Sequence, residues 1–215
     1  NTSITSVYYN SYIVFVNGYY YADNSFSSGI FINPADYDYK LNLLYANAVD
    51  FVGTYQDNIL RTDIPNLTTG TYLTLNTGTT AYFSAVKYSS HSPAGQSTLF
   101  LGTQSGRVFK VNHAEATPVK TEITGADFPV ANVSCIEIGG SEDTLLVTFS
   151  NYGVPSVWQT YNGGQTWQNI ELQPDAPPIT VAGKTTPIVR YSIPVTAKKR
   201  IVGVARVTRA AYPDP

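Results

Sequence analysis

Thr160-Tyr161-Asn162-Gly163-Gly164-Gln165-Thr166-Trp167 reads as a turn that staples its own hairpin. The Asn162 side-chain oxygen can accept hydrogen bonds from turn N–H groups, and Gly164 can take the left-handed backbone that other residues avoid. Trp167 then has a place to pack its ring back over the hairpin. On either side, Val157–Tyr161 and Thr166–Ile170 read as strands. The expectation is a structural β-hairpin with Trp167 in its core.

Working outward, short runs rich in Val, Ile, Leu, Tyr, Phe and Thr recur at roughly ten-residue intervals between Gly and Asn turns, an all-β pattern. Further expected strands are Tyr12–Val16, Tyr19–Tyr21, Leu43–Asn47, Tyr72–Leu75, Ala81–Tyr88, Thr98–Gly102, Arg107–Val111, Val133–Ile138 and Thr144–Phe149. Asn17-Gly18, Ser105-Gly106 and Asn162-Gly163-Gly164 supply the tight turns. One segment points elsewhere. Asn33-Pro34-Ala35-Asp36 has the cap, proline and early acid of a helix start, and Tyr37, Leu41, Leu44 and Tyr45 can form an apolar face. A turn or so of helix is expected there. Leu43-Leu44-Tyr45-Ala46-Asn47, Leu99-Phe100-Leu101-Gly102-Thr103 and Leu145-Leu146-Val147-Thr148-Phe149 form a set of similar strands starting 56 and then 46 residues apart. A period near 50 built of four short strands is the pattern of a β-propeller blade.

The 160–167 stretch also resembles the Asp-box, or bacterial neuraminidase repeat, Ser/Thr-x-Asp-x-Gly-x-Thr/Ser-Trp. Thr160, Gly164, Thr166 and Trp167 match, and Asn162 stands where that family has Asp. The resemblance implies a structural hairpin joining the third and fourth strands of a blade. A second stretch, Gly29-Ile30-Phe31-Ile32-Asn33-Pro34-Ala35-Asp36-Tyr37-Asp38-Tyr39 through Leu44-Tyr45-Ala46-Asn47, is similar to the strand, Asn/Asp-Pro turn and Leu-Tyr-Ala strand of sortilin-like and Asp-box propellers, including large secreted propeller proteins of Bacteroidetes. Leu101-Gly102-Thr103-Gln104-Ser105-Gly106-Arg107-Val108-Phe109 fits the same scheme. The likeness spans roughly residues 7 to 172, about three blades.

The composition agrees with an exported β protein. The 215 residues are 43% hydrophobic and only 13% charged, with 17 tyrosines, one cysteine and no methionine. Aromatic and β-branched residues are too plentiful for a disordered chain. The N-terminus lacks the features of a signal peptide, so the chain is expected to be a processed or partial one. A single cysteine excludes an internal disulfide framework, and Cys135, inside the expected strand Val133–Ile138, reads as a small buried hydrophobe. The net charge of −2 hides an asymmetry: residues 1–175 carry six basic and fourteen acidic groups, residues 176–215 seven basic and one acidic. The change falls at Gln173-Pro174-Asp175-Ala176-Pro177-Pro178, a linker signal. Two regions follow: a partial propeller over 1–173, and a Pro-rich linker with a basic β segment over 174–215. Within the second, Val189, Tyr191, Ile193 and Val195, then Ile201–Ala205, read as a β-hairpin with Lys198-Lys199-Arg200 at its turn. Interleaved stacking aromatics are missing from that segment, so no nucleic-acid partner is expected.

The search for chemistry is mostly exclusion. A sialidase needs an arginine cluster for the substrate carboxylate, but before residue 176 only Arg61 and Arg107 occur, and neither lies in a Phe/Tyr-Arg-Ile-Pro motif. Neither nucleotide-phosphate glycine motif is present. His91 and His113 lie in polar loops without ligand spacing and read as solvated. Asp23, Asp36, Asp38, Asp50, Asp57 and Asp63 include candidates for one half of a glycosidase carboxylate pair, with nothing to single one out. Asp36-Tyr37-Asp38 places two carboxylates near a turn, which suits a hard cation such as calcium; turn chemistry is the alternative. Tyr8, Tyr9, Tyr12, Tyr19, Tyr20 and Tyr21 cluster near the N-terminus, and Trp158 enters the stapled hairpin. Such rings stack on sugars or anchor protein partners, so Tyr19, Tyr20, Tyr21 and Trp158 are the candidate ligand-binding residues.

The sequence therefore predicts an all-β partial propeller with a C-terminal β-hairpin, acting as a non-catalytic binding or scaffold module for glycan or protein in a secreted or cell-surface protein. The alternative is a fragment of a propeller glycoside hydrolase whose catalytic carboxylates lie partly outside this chain. Three blades cannot close a ring, so the remaining blades of a parent protein are expected partners. Size-exclusion chromatography and circular dichroism check that expectation: the open array should not run as a cooperatively melting monomer, and such a monomer would contradict it.

Overall fold

The computed structural model describes residues 30, 32–49, 53, 56–63, 70–78 and 80–171, together with the strands alone at 3–8, 11–16, 19–23, 179–181 and 184–186. The protein is all-β among these residues. A three-stranded antiparallel sheet, β1 (Ser3–Tyr8), β2 (Ser11–Val16) and β3 (Tyr19–Asp23), precedes three four-stranded antiparallel meanders. The first contains β4 (Ala35–Asp38), β5 (Leu43–Asn47), β6 (Asn58–Asp63) and β7 (Gly70–Thr74). The second contains β8 (Phe83–Tyr88), β9 (Leu99–Thr103), β10 (Val108–Asn112) and β11 (Val119–Glu122). The third contains β12 (Val133–Ile138), β13 (Leu145–Phe149), β14 (Val157–Thr160) and β15 (Gln168–Asn169). The chain divides into two compact units, Asn1–Asn169 and Ile170–Pro215; the second carries a two-stranded hairpin, β16 (Ile179–Val181) with β17 (Lys184–Thr186). The basic hairpin expected over 189–205 lies outside the described residues.

Side-chain alternation explains how the meanders pack. β8 lies against β4 and β5 on one side and against β12 on the other, so the second meander sits between its neighbours. One core joins Leu43, Tyr45, Ile59 and Leu73 of the first sheet to Val86, Tyr88, Leu99, Leu101, Phe109 and Val111 of the second. Another joins Ala85, Phe100 and Val108 of the second to Val133, Ile136, Leu145, Val147, Phe149 and Trp158 of the third. A strand covered on both faces must be apolar throughout, and every residue of Leu99-Phe100-Leu101-Gly102-Thr103 is buried. In β13, by contrast, Leu145, Val147 and Phe149 are buried while Leu146 and Thr148 are half-exposed, the alternation of a sheet covered on one face.

One expectation needs correction. The Asn33-Pro34 start does not open a helix: Ala35–Asp38 is a strand, paired Ala35↔Ala46, Asp36↔Tyr45, Tyr37↔Leu44 and Asp38↔Leu43. Asn33 is spent on other bonds, donating through Nδ2 to the Asn47 carbonyl at 2.7 Å and accepting from Asn47 Nδ2 at 2.8 Å, while the Pro34 carbonyl accepts from the Asn47 N–H. The similar strands start at Leu43, Leu99 and Leu145 as expected, but their faces do not correspond residue for residue. Leu43 faces the following sheet, whereas Leu99 faces the preceding one, so the counterpart of Phe100 is Tyr45 rather than Leu44. A one-residue slip exchanges the two faces of a strand.

The approach of the second and third sheets depends on Gly102. A Cβ there would lie 2.3 Å from Val133 Cγ1 and 2.6 Å from Val133 Cβ, distances no side chain can tolerate. Gly102→Ala should lower stability by about 1–3 kcal/mol through forced separation of the sheets. Gly140→Ala, in open space with nothing within 4 Å, should change it by less than about 0.5 kcal/mol. Chemical denaturation of both variants checks the contrast.

Candidate functional site

The 160–167 hairpin joins the third strand of its sheet to the fourth, and one hydroxyl organises it. Thr160 Oγ1 donates to Asn162 Oδ1 at 2.8 Å and accepts from the N–H groups of Asn162 and Gly164 at 3.3 and 3.1 Å. Asn162 spans the turn: its Oδ1 accepts from the Thr166 N–H at 2.9 Å and its Nδ2 donates to Thr166 Oγ1 at 2.9 Å. An aspartate at 162 would make the second contact only with the direction reversed, accepting from the Thr166 hydroxyl. Gly164 sits at φ +88°, and a Cβ there would lie 2.6 Å from Ile123 Cβ. Trp167 reaches beyond its own hairpin, donating Nε1–H to the Ile123 carbonyl at 2.8 Å and packing on Phe128 with ring centroids 4.9 Å apart. The hairpin thus fastens the third sheet to the segment that leaves the second.

Of the candidate ligand-binding residues, Trp158 is corrected. Its side chain lies in the core between the second and third sheets, 5% exposed, against Phe128 at 5.2 Å, with Nε1–H donating to the Pro155 carbonyl at 3.0 Å. It pairs with Val147 in β13, whose inward face carries the core, so its ring is not available to stack on a ligand. Tyr19, Tyr20 and Tyr21 lie on β3, and their side chains are outside the described residues. Asp36 and Asp38 are each engaged by backbone N–H groups. Asp36 accepts from the N–H groups of Tyr37 and Tyr88 at 2.9 and 2.8 Å. Asp38, fully buried, accepts from the N–H groups of Lys40 and Leu41 and from Ser97 Oγ. Cys135 is also corrected: it is exposed, because a bulge between Val133 and Cys135 leaves it on the outward face of the third sheet.

What the fold does assemble is a rim of turns along one end of the sheets. Lys40, in the β4–β5 turn, donates Nζ to the carbonyls of Ser90 and Ser92 at 2.7 and 3.2 Å in the β8–β9 loop. His91 of that loop contacts the Gly139 carbonyl of the β12–β13 turn through Nε2 at 2.9 Å, which fixes the N–H on that nitrogen. The Gly163 N–H donates to the Asp143 carbonyl at 2.9 Å, joining the stapled hairpin to the same turn. Beneath the rim, Ser97 N–H donates to Glu115 Oε2 at 2.7 Å, and burial holds the phenols of Tyr45 and Tyr88 protonated, well above their ordinary range. Above it, Tyr39 and Tyr161 are 56% and 68% exposed. Neither belongs to the N-terminal tyrosine cluster that marks candidate rings in the sequence, and each lies in a turn.

Lys110 and Glu142 form an ion pair of 2.7 Å across the seam between the second and third sheets. Burial acts to raise the Glu142 carboxyl, but the Lys110 bond, the Ser89 hydroxyl, the Lys110 charge and Thr98 together hold it below the ordinary carboxylate range. No protein-family model matches this chain, and no curated protein matches it.

Two outcomes follow. Thr160→Val, which keeps the shape and removes three hydrogen bonds, should lower stability by about 2–3 kcal/mol and should make Trp167 fluorescence more solvent-exposed. A carboxyl depressed in the folded state contributes stability that is complete above its unfolded pKa of about 4.3 and lost as pH falls through the folded value. Glu142→Gln should therefore flatten the acid limb of stability against pH, measured by denaturation between neutral pH and the acid transition; an unchanged limb would contradict the ion pair's role.

Proposed function

We propose that this chain is a non-catalytic binding or scaffold module, built as part of an Asp-box β-propeller of a secreted or cell-surface protein, and that it engages a glycan or protein through the rim of turns. The observation that carries the reading is the bracing of that rim. Lys40 and His91 tie the turns of successive sheets to one another, so exposed Tyr39 and Tyr161 stand on a fixed frame. Rigid, amphipathic aromatic rings bind at low entropic cost. The Thr160, Asn162, Gly164, Thr166 and Trp167 network supports the Asp-box assignment, since each of these residues takes part in the turn or in its attachment.

The hydrolase alternative draws on Asp36, whose carboxyl burial raises above the ordinary range, as a general acid requires. Both Asp36 oxygens, however, accept backbone N–H groups, which favour the charged form and leave less capacity for proton transfer. A hydrolase would release reducing sugar from a polysaccharide panel; the binding module retains ligand without turnover.

In a glycan array and a pull-down, Tyr39→Ala and Tyr161→Ala should each weaken retention about tenfold while leaving the melting temperature unchanged. Retention unaffected by both substitutions would remove the rim as the binding surface.

A further inference from the structure

An open cavity of about 430 Å³ lies at the seam between the second and third sheets, within the size range of small-molecule sites. Pro93, Gln96, Lys110, Asn112, His113, Val119 and Glu142 contribute to its lining. Backbone bonds brace the loops that carry this lining. The Gln96 N–H donates to the Pro93 carbonyl at 3.1 Å, and the Ala114 N–H to the Ser97 carbonyl at 3.0 Å. Asn112 faces Val119 across the β10–β11 ladder, and its Oδ1 accepts from Thr98 Oγ1 at 3.4 Å. The cavity is therefore preorganised, which reduces the ordering cost of binding.

We propose that this cavity holds one neutral, polyhydroxylated residue, a sugar unit of a glycan. The proposal rests on the binding-module reading and deepens it by naming the ligand class and its place. The charges argue for neutrality: Lys110 and Glu142 are paired at 2.7 Å, so an anion on Lys110 would compete with Glu142 and a cation on Glu142 with Lys110, and His113, the other titratable group of the lining, has Glu115 at 3.5 Å. A hydroxyl both donates and accepts and breaks neither charge balance. The ammonium has three donors, of which the Glu142 bond occupies one. Gln96 and Asn112 add amide donors and acceptors, while Pro93 and Val119 offer apolar surface for the C–H face of a ring. Glu142 Oε1 is buried and completes no hydrogen bond, although the Ser89 and Thr98 hydroxyls are near enough to favour its charge.

The test is an NMR titration of the 215-residue chain with glucose, galactose, mannose and N-acetylglucosamine, with glucuronate and glucosamine as charged comparators. At least one neutral sugar should produce saturable shifts confined to residues 93–98, 110–119 and 142, and the charged comparators should bind about tenfold more weakly or worse. Val119, 54% exposed, can be enlarged without disturbing the core. Val119→Trp should abolish the shifts by filling the cavity, and Gln96→Ala should weaken binding about fivefold, both with wild-type melting curves. Saturable binding that survives Val119→Trp, tighter binding of a charged comparator, or no saturable shift with any neutral sugar would overturn the assignment. If hexoses leave the cavity unperturbed while Tyr39→Ala still abolishes glycan or protein retention, the cavity proposal falls and the binding-module reading stands.

Discussion

The close approach of the second and third sheets at Gly102 is the constraint on which the rest of the described structure depends. With no side chain at that point, Val133 sits directly on the β9 backbone, and Phe100 and Val108 reach the core formed by Ile136, Val147 and Trp158. That distance also lets Lys110 meet Glu142 and His91 meet Gly139. Were the sheets pushed apart by the width of a methyl group, the apolar seam would lose its packing and the rim its cross-links. The apolar term is the larger one: each fully buried Leu or Phe of β9 contributes about 1.5–3 kcal/mol, whereas partly exposed ion pairs contribute little.

A chain with few charges uses several of them at seams between sheets. Arg61 donates to the Glu115 carbonyl, joining the first sheet to the second, and Lys110 with Glu142 joins the second to the third. Lys87 and Glu137, 3.2 Å apart, do the same between β8 and β12, though their exposure makes that pair weak. Arg61 and Lys110 stand on the third strands of their sheets, beside Tyr45 and Phe100 on the second, so the two seams share one design. The stapled hairpin adds a separate clasp, because Trp167 and Gly164 both meet Ile123 just beyond β11.

The sequence carried the architecture well and the surface poorly. Leu-Phe-Leu-Gly-Thr and Leu-Leu-Val-Thr-Phe differ as two-faced and one-faced strands must, and Val133–Ile138 and Leu43–Asn47 are strands over their expected limits. β6 escaped notice because Arg61 and its polar neighbours interrupt the apolar run of Asn58–Asp63. β11 escaped because all four of its residues are exposed and only the ladder to β10 holds it in place. The Asn33-Pro34 segment misled because local helix-start chemistry is the same chemistry that anchors a strand when Asn47 is the partner. Tyr39, Tyr161 and the 430 Å³ cavity were illegible for a different reason: they exist only where turns distant in sequence meet.

The central claim is that the third sheet is held as one cooperative body with the end of the second through Gly102, Ile123 and Trp167. Native-state hydrogen exchange, resolved by residue, tests it most directly in the wild type and in Trp167→Ala. The account predicts that amides of β13 and β14 and those of residues 123–128 lose protection together and to the same extent in the variant, while β5 and β6 keep theirs. Loss of protection confined to the 160–167 hairpin, with 123–128 unchanged, would contradict it.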